Sequence, residues 1–262
     1  EKVGELRTYI NSLPLTERWD YLSAMNNNLV YAMAVENLLG IEVPERCQWL
    51  RMILSELQRI ASHLVFVGTF GLDVGAHTPF LYCFRDREKI LDLFEEFCGA
   101  RLTYTCMRIG GLCGDTPDGW IEGVANFLDY LPPMLDEIDA LLTGNEIFRQ
   151  RTKNIGIMPP ELAISYGASG PFLRGSGVKF DLRRAQPYLK YPEVDFDIPV
   201  GQTGDCYDRY ACRFEEIRQS LKIVRQCLER LPEGDVQAKL PKTIKPAPGE
   251  TYTCIESPRG EL

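Results

Sequence analysis

The sequence predicts a mainly α (α+β) protein, a bundle core of long helices with β strands and hairpins only at its margins. Three observations carry this. Five long stretches place apolar residues at alternating spacings of three and four, the repeat of a helix with one buried stripe. Strand-like alternation is confined to short pieces and to TYTCIES near the end. No internal repeat or low-complexity tract interrupts the pattern, and 262 residues can bury one large core. The expected organisation is a single helical-bundle domain over 1–262, with a loop-rich insertion at 151–204 and a linker and terminal strand at 232–262.

In order, residues 1–16 read as a short helical lead-in with a turn at Ser12–Pro14. Thr16 is a suitable cap for a helix over about 17–39, with Met25, Leu29, Ala32, Val35 and Leu39 on its face and Gly40 as its stop. Pro44 suits the start of the organising helix, because its missing N–H has no intrahelical partner there. Leu50, Ile53, Leu57, Ile60 and Leu64 form its seam; past Phe66 the glycines Gly68, Gly71 and Gly75 are expected to loosen it. A third helix covers about 80–97. Pro117 opens a fourth, which keeps its period from Ile121 to Leu142 through Pro132–Pro133. Residues 151–204 are rich in turns, with a short helical piece near Asp181–Ala185. The fifth long helix, about Asp205–Leu231, stops at Pro232–Gly234, and a Lys/Pro-rich linker leads to the terminal strand.

Composition excludes several classes of function. A net charge of −8 with no Lys/Arg stripe argues against nucleic acid. No apolar run reaches membrane-spanning length, so a membrane role is peripheral or through partners. The nine cysteines contain no C-x-x-C pair and only two histidines accompany them, so they read as scattered reduced thiols rather than metal ligands or a disulfide framework. Phosphate-cradling glycine motifs and a nucleophile elbow are missing. The stretch that draws attention is Asp73 and His77 among Phe70, Leu72, Val74 and Phe80, where a carboxylate is expected to find a partner or to have its pKa raised.

The run LPLTERWDYLSAMNNNLVYAMAVENLLGIEVPERCQWLRMILSELQRIASHLVFVGTFGLDVGAHTPF resembles the quinone-site D-subunit family of proton-pumping NADH:quinone oxidoreductase, respiratory complex I. The stretches FRDREKILDLFEEFCGAR, MRIGG, LRGSG, FDIPVG, GDCYDRY and ESPRGEL resemble it in the same order. The likeness implies a fold shared with the large subunit of [NiFe] hydrogenases. It also implies that the chain is cut at both ends from a protein with a His-bearing hairpin upstream. The implied role is to form, with a neighbour carrying a [4Fe-4S] cluster, the chamber where quinone becomes quinol. No cofactor is then bound by the chain itself. Its partners would be other peripheral-arm and membrane-arm subunits, on the cytoplasmic side of a bacterial membrane.

By the same resemblance Tyr21 donates a hydrogen bond to the quinone headgroup and Asp73 pairs with the headgroup histidine of the upstream hairpin. Arg18 lies beside the partner's cluster, and Thr103 stands where many relatives carry a cluster-linked histidine. The residues alone allow blander roles. Tyr21 could be an interior tyrosine of an amphipathic helix, Asp73 a loop aspartate and Arg18 a first-turn surface residue, though a helix N-terminus is a poor place for a cation. His63 reads as a satisfied core histidine; His77 has no assigned role. Two rival functions are a [NiFe] hydrogenase-like large subunit and a non-catalytic assembly subunit. The hydrogenase reading is weakened because its first C-x-x-C falls on Asp20 and Ser23, which supply no thiolate.

Overall fold

The computed structural model describes residues 2–262. It is mainly α. Two short helices, α1 (Lys2–Glu5) and α2 (Tyr9–Thr16), precede α3 (Ala24–Leu39), α4 (Glu45–Asp73) and α5 (His77–Cys98). The two-residue strands β1 (Met107–Arg108) and β2 (Gly111–Leu112) form a hairpin, followed by α6 (Trp120–Leu142) and α7 (Glu146–Thr152). Residues 151–204 contain the short helices α8 (Pro160–Ser165), α9 (Gly170–Gly175) and α10 (Leu182–Ala185). The last long helix is α11 (Cys206–Arg230), and the hairpin of β3 (Glu256–Ser257) and β4 (Gly260–Glu261) closes the described chain.

Helix α4 is the axis, packed chiefly against α5 and α11. Its apolar seam is the expected one, but every residue from Trp49 to Leu64 is buried, polar ones included. The polar side of an amphipathic helix normally faces water. Here it faces the 170–191 segment and the terminal hairpin, which bring charges of the opposite sign. The glycines near its end do not loosen it. A Cβ at Gly68 would meet Cys83 Cβ at 3.2 Å and Phe80 Cα at 3.3 Å, so the glycine lets α5 approach and the helix runs on to Asp73.

Three sequence expectations about boundaries are corrected. Ser12–Pro14 is not a turn but lies inside α2. Thr16 ends that helix and caps nothing after it; its hydroxyl donates to Leu13 O at 2.8 Å and accepts from Asn28 Nδ2 at 3.0 Å. Residues 17–23 therefore form turns, and α3 begins only at Ala24. In α6 the helix passes through Pro132–Pro133. Pro132 leaves the Leu128 carbonyl without its usual donor, and Arg225 of α11 reaches that oxygen at 3.5 Å.

The loop-rich segment is tied down by its own motifs. Asp205 caps α11 through Asp208 N (2.8 Å) and accepts from Asn154 N (2.7 Å). Asp208 Oδ2 accepts from the amides of Gln202, Thr203 and Gly204. Gly201 leaves room for the Gly175 carbonyl, which a Cβ there would meet at 2.3 Å.

Candidate functional site

A cavity of ≈400 Å³ opens between α4, α9, α11 and the terminal hairpin, lined by Leu22, His63, Phe66, Thr69, Phe172 and Arg213, with Pro258 and Arg259 at the hairpin side. Its wall is largely apolar, with a few convergent polar groups, the usual character of a site for a small organic ligand. The Arg213 guanidinium stacks 4.1 Å over Phe66 and donates to Arg209 O at 2.8 Å. No carboxylate among the described residues forms an ion pair with it, and burial brings its pKa down to about 10. It remains a cation at neutral pH, with donors available to an acceptor in the cavity.

His63 closes the inner wall and links the cavity to a buried ionic cluster. Its Nε2 lies 2.8 Å from Glu216 Oε2. Burial brings its pKa down to about 4 although Glu216 pulls the other way, so the imidazole is neutral near pH 7 and donates from Nε2. Glu216 also accepts from Arg174 at 2.6 and 2.9 Å, and Arg174 reaches Glu256 at 2.8 Å. Arg183 bridges Asp181 (2.7 Å) and Glu56 (3.2 Å). Glu56 accepts further bonds from Tyr191 and Ser220, each at 2.6 Å. Burial alone would raise both Glu56 and Glu216. The guanidinium groups of Arg59 and Arg183 hold Glu56 below the ordinary range, and Arg174 with His63 holds Glu216 well below it. Glu256 is the exception, since burial raises it despite Arg174.

The four residues singled out from sequence fall into two pairs. Tyr21 sits on the turn before α3, 69% exposed, and not in a helix interior. Its neighbour Leu22 lines the cavity, and Asp20 holds Arg259 of the hairpin at 3.2 Å. Asp73 is exposed at the C-terminus of α4, one turn beyond the cavity residue Thr69. The expectation of an apolar setting is therefore corrected: water solvates this carboxylate, and it has no hydrogen-bond or ion-pair partner among the described residues. Leu22 and Thr69 line the cavity, whereas the Tyr21 and Asp73 side chains do not.

Arg18 and Thr103 form the second pair. Arg18 does not start a helix; it follows the C-terminus of α2, where it donates to the Pro14 carbonyl, a placement the helix dipole favours. It also meets Glu17 Oε2 at 3.2 Å, and Glu17 accepts from the Thr105 amide. Glu17 therefore fastens the Arg18 turn to the segment of Thr103, which is exposed and held at φ 52°. Asp20 and Ser23, which the resemblance sets against the hydrogenase thiolates, carry other duties: Asp20 pairs with Arg259, and Ser23 Oγ accepts from Asn26 Nδ2 at 2.9 Å. Sequence reasoning missed Arg213 and the ionic role of Glu216. The available signal was the spacing of Arg213 and Glu216, which puts both charges beside the apolar seam of α11.

The fold and the site define a class, a long-helix bundle with a small-molecule cleft lined by a cation, a neutral histidine and aromatic rings. Known relatives specify which. Residues 73–247 match the family model described as respiratory-chain NADH dehydrogenase, 49 Kd subunit. The NADH-quinone oxidoreductase D subunit of Bacillus anthracis is 54% identical over all of this chain and 72% of its own length. The D subunits of Geobacillus kaustophilus and Bacillus cytotoxicus are 53% and 52% identical with the same coverage. The chain belongs to the D-subunit, or 49 kDa, family of complex I. It is accordingly one subunit of an oxidoreductase complex, and other subunits of that complex are its partners. No helix among the described residues is long and apolar enough to cross a membrane.

Proposed function

We propose that the ≈400 Å³ cavity receives the headgroup of a quinone, and that the chain forms the reduction chamber together with a [4Fe-4S]-bearing neighbour. The observation that supports this most is a largely apolar cavity with Arg213 and His63 at its wall, whose lining residues Leu22 and Thr69 respectively adjoin the Tyr21 turn and precede Asp73 by one helical turn. The neighbour's cluster supplies electrons one at a time. This chain supplies donors, a wall and an orientation. Tyr21 offers its phenolic hydroxyl as a hydrogen-bond donor to a quinone carbonyl. Arg213 offers a charged donor to the same kind of acceptor, and Phe66 and Phe172 pack the ring. The Arg18–Glu17–Thr105 tie places the Arg18 turn and the Thr103 segment together on the side proposed to meet the cluster-bearing neighbour. The protein is peripheral and is held to the cytoplasmic side of the membrane by its partners. The quinone reading is preferred to a hydrogenase or an assembly-only role because the pocket is largely apolar and offers these donors.

The test is to fill the cavity. Thr69→Trp in the assembled complex should raise the KM for quinone at least roughly ten-fold and leave electron transfer from NADH to an artificial acceptor upstream of quinone unchanged. Wild-type KM and turnover with quinone in that variant would refute the assignment.

A further inference from the structure

Outside the cavity, the β1–β2 hairpin carries a pair of thiols whose placement the reaction does not require. The pairing of Met107 with Leu112 and of Arg108 with Gly111 puts Cys106 and Cys113 in the next register position, and Cys113 N donates to Cys106 O at 2.9 Å. Their Sγ atoms lie 3.7 Å apart in a thiol–thiol hydrogen bond. We propose that Cys106 and Cys113 form a reversible dithiol/disulfide site, oxidised by a hydroperoxide.

The geometry suits this chemistry. Opposed residues of an antiparallel pair have Cα atoms about 4.5–5.5 Å apart, inside the range a disulfide spans, and the sulfurs need to close only to about 2.05 Å. The hairpin is also rigidly held. Arg51 donates to Arg108 O (2.8 Å) and Gly111 O (3.1 Å), and Glu36 accepts from Gly110 N (2.6 Å). The two sulfurs are unequal. Cys113 is half-buried, and the hydrogen bond from Cys106 brings its pKa down to about 7. Cys106 is fully buried and its pKa is raised. Cys113 is thus the attacking thiolate and Cys106 the resolving thiol. The third nearby thiol, Cys98, also contacts Cys106, and it donates to the Phe94 carbonyl at 3.1 Å. Among the described residues no group of three or more His, Cys, Asp and Glu side chains is arranged to hold a metal.

The step balances. The Cys113 thiolate takes one oxygen from the hydroperoxide, giving the sulfenic acid and releasing water, or an alcohol from an organic peroxide, once a proton is taken up. Cys106 then attacks that sulfur, the S–S bond forms, and a second water leaves. Two thiols lose two electrons and the O–O bond is reduced.

The experiment uses the assembled complex treated with stoichiometric hydrogen peroxide, then alkylated and digested with trypsin. Cleavage after Arg101 and Arg108 places Cys98, Cys106 and Cys113 on three different peptides, so a linked pair identifies itself by mass. The expected product joins the Cys106 and Cys113 peptides and is released by dithiothreitol. It should form before Cys98, Cys206 and Cys254, the other half-buried thiols, lose alkylation. Cys113→Ser should leave Cys106 alkylatable after the same treatment. A Cys98–Cys106 link, over-oxidation of Cys113 without a link, or loss of all half-buried thiols at one rate would each overturn the proposal.

Discussion

Arg174→Met tests the ionic cluster that joins the cavity to the fold. The side chain is fully buried and makes four bonds: to Glu216 at 2.6 and 2.9 Å, to Glu256 at 2.8 Å and to Phe180 O at 2.8 Å. Methionine fills much of the volume and supplies none of them. Glu216 would keep only its contact with His63, and Glu256 only the Leu182 amide at 3.0 Å. Removing one partner of a buried ion pair costs about 3–5 kcal/mol, because an uncompensated charge stays behind. That energy should appear first as local opening of residues 169–184 and of the terminal hairpin, since Arg174 is their common anchor. Amide exchange there should accelerate by roughly two to three orders of magnitude. The assay is hydrogen–deuterium exchange of the assembled complex, supported by thermal inactivation. Arg174→Met combined with Glu216→Gln should cost clearly less than the sum of the two single changes, because the stranded charge is gone. Unchanged protection in the single variant, or strict additivity in the double, would refute the reasoning.

The periodicity made the long helices legible, and α4 was correctly read as the axis. The partners of its polar face were not, because they arrive from far along the chain: Arg183 meets Glu56 across 127 positions and Glu256 meets Arg59 across 197. A local pattern cannot show that a face dressed in Arg51, Glu56, Arg59 and His63 is interior. The start of α3 was misread for a related reason. Thr16 looks like a cap, yet its hydroxyl is taken by Leu13 O and Asn28, and Glu17 reaches Thr105 instead of opening a helix. The short helices α8 and α9 were hidden by Pro and Gly at their ends, where propensity and turn chemistry compete, whereas the piece near Asp181–Ala185 was legible and is α10. The thiol pair could have been found. In C-M-R-I-G-G-L-C the cysteines stand symmetrically about a four-residue turn, which puts them opposite each other once the hairpin is granted. Tyr21 and Asp73 came from family likeness; the structure leaves both side chains exposed, with their neighbours Leu22 and Thr69 on the cavity wall.

The remaining predictions concern the proposed chamber. Tyr21→Phe removes one hydroxyl from a 69% exposed side chain, so the fold should hold while quinone turnover falls ten- to a hundred-fold, from a lost bond of ~1–3 kcal/mol; wild-type turnover would exclude it as headgroup donor. Arg213→Gln should raise the KM for quinone by roughly ten-fold or more, and an unchanged KM would remove Arg213 from the binding surface. His63 predicts a pH effect on stability. Its folded pKa of about 4 lies below the ordinary 6.5, so the unfolded chain binds the extra proton and stability is lost as pH falls from about 6.5 to 4, by about 3 kcal/mol; denaturation of His63→Gln should lack that share of the slope. Thr103 carries the last. At φ 52° a β-branched threonine is strained, whereas histidine is among the residues enriched in that left-handed region. Thr103→His should therefore fold at least as well as the wild type. The position is exposed, so the imidazole would titrate near ~6.5. If this segment faces the partner's cluster, reduction would raise that pKa and the potential would gain a slope approaching about 59 mV per pH unit. Threonine cannot titrate. The wild-type potential should then be lower than that of Thr103→His and nearly flat between about pH 6 and 8, a low value suited to a low-potential quinone. Potentiometric titration of the complex at several pH values decides it: a steep wild-type slope, or a Thr103→His variant as flat as the wild type, would mean that this segment does not couple protons to the cluster.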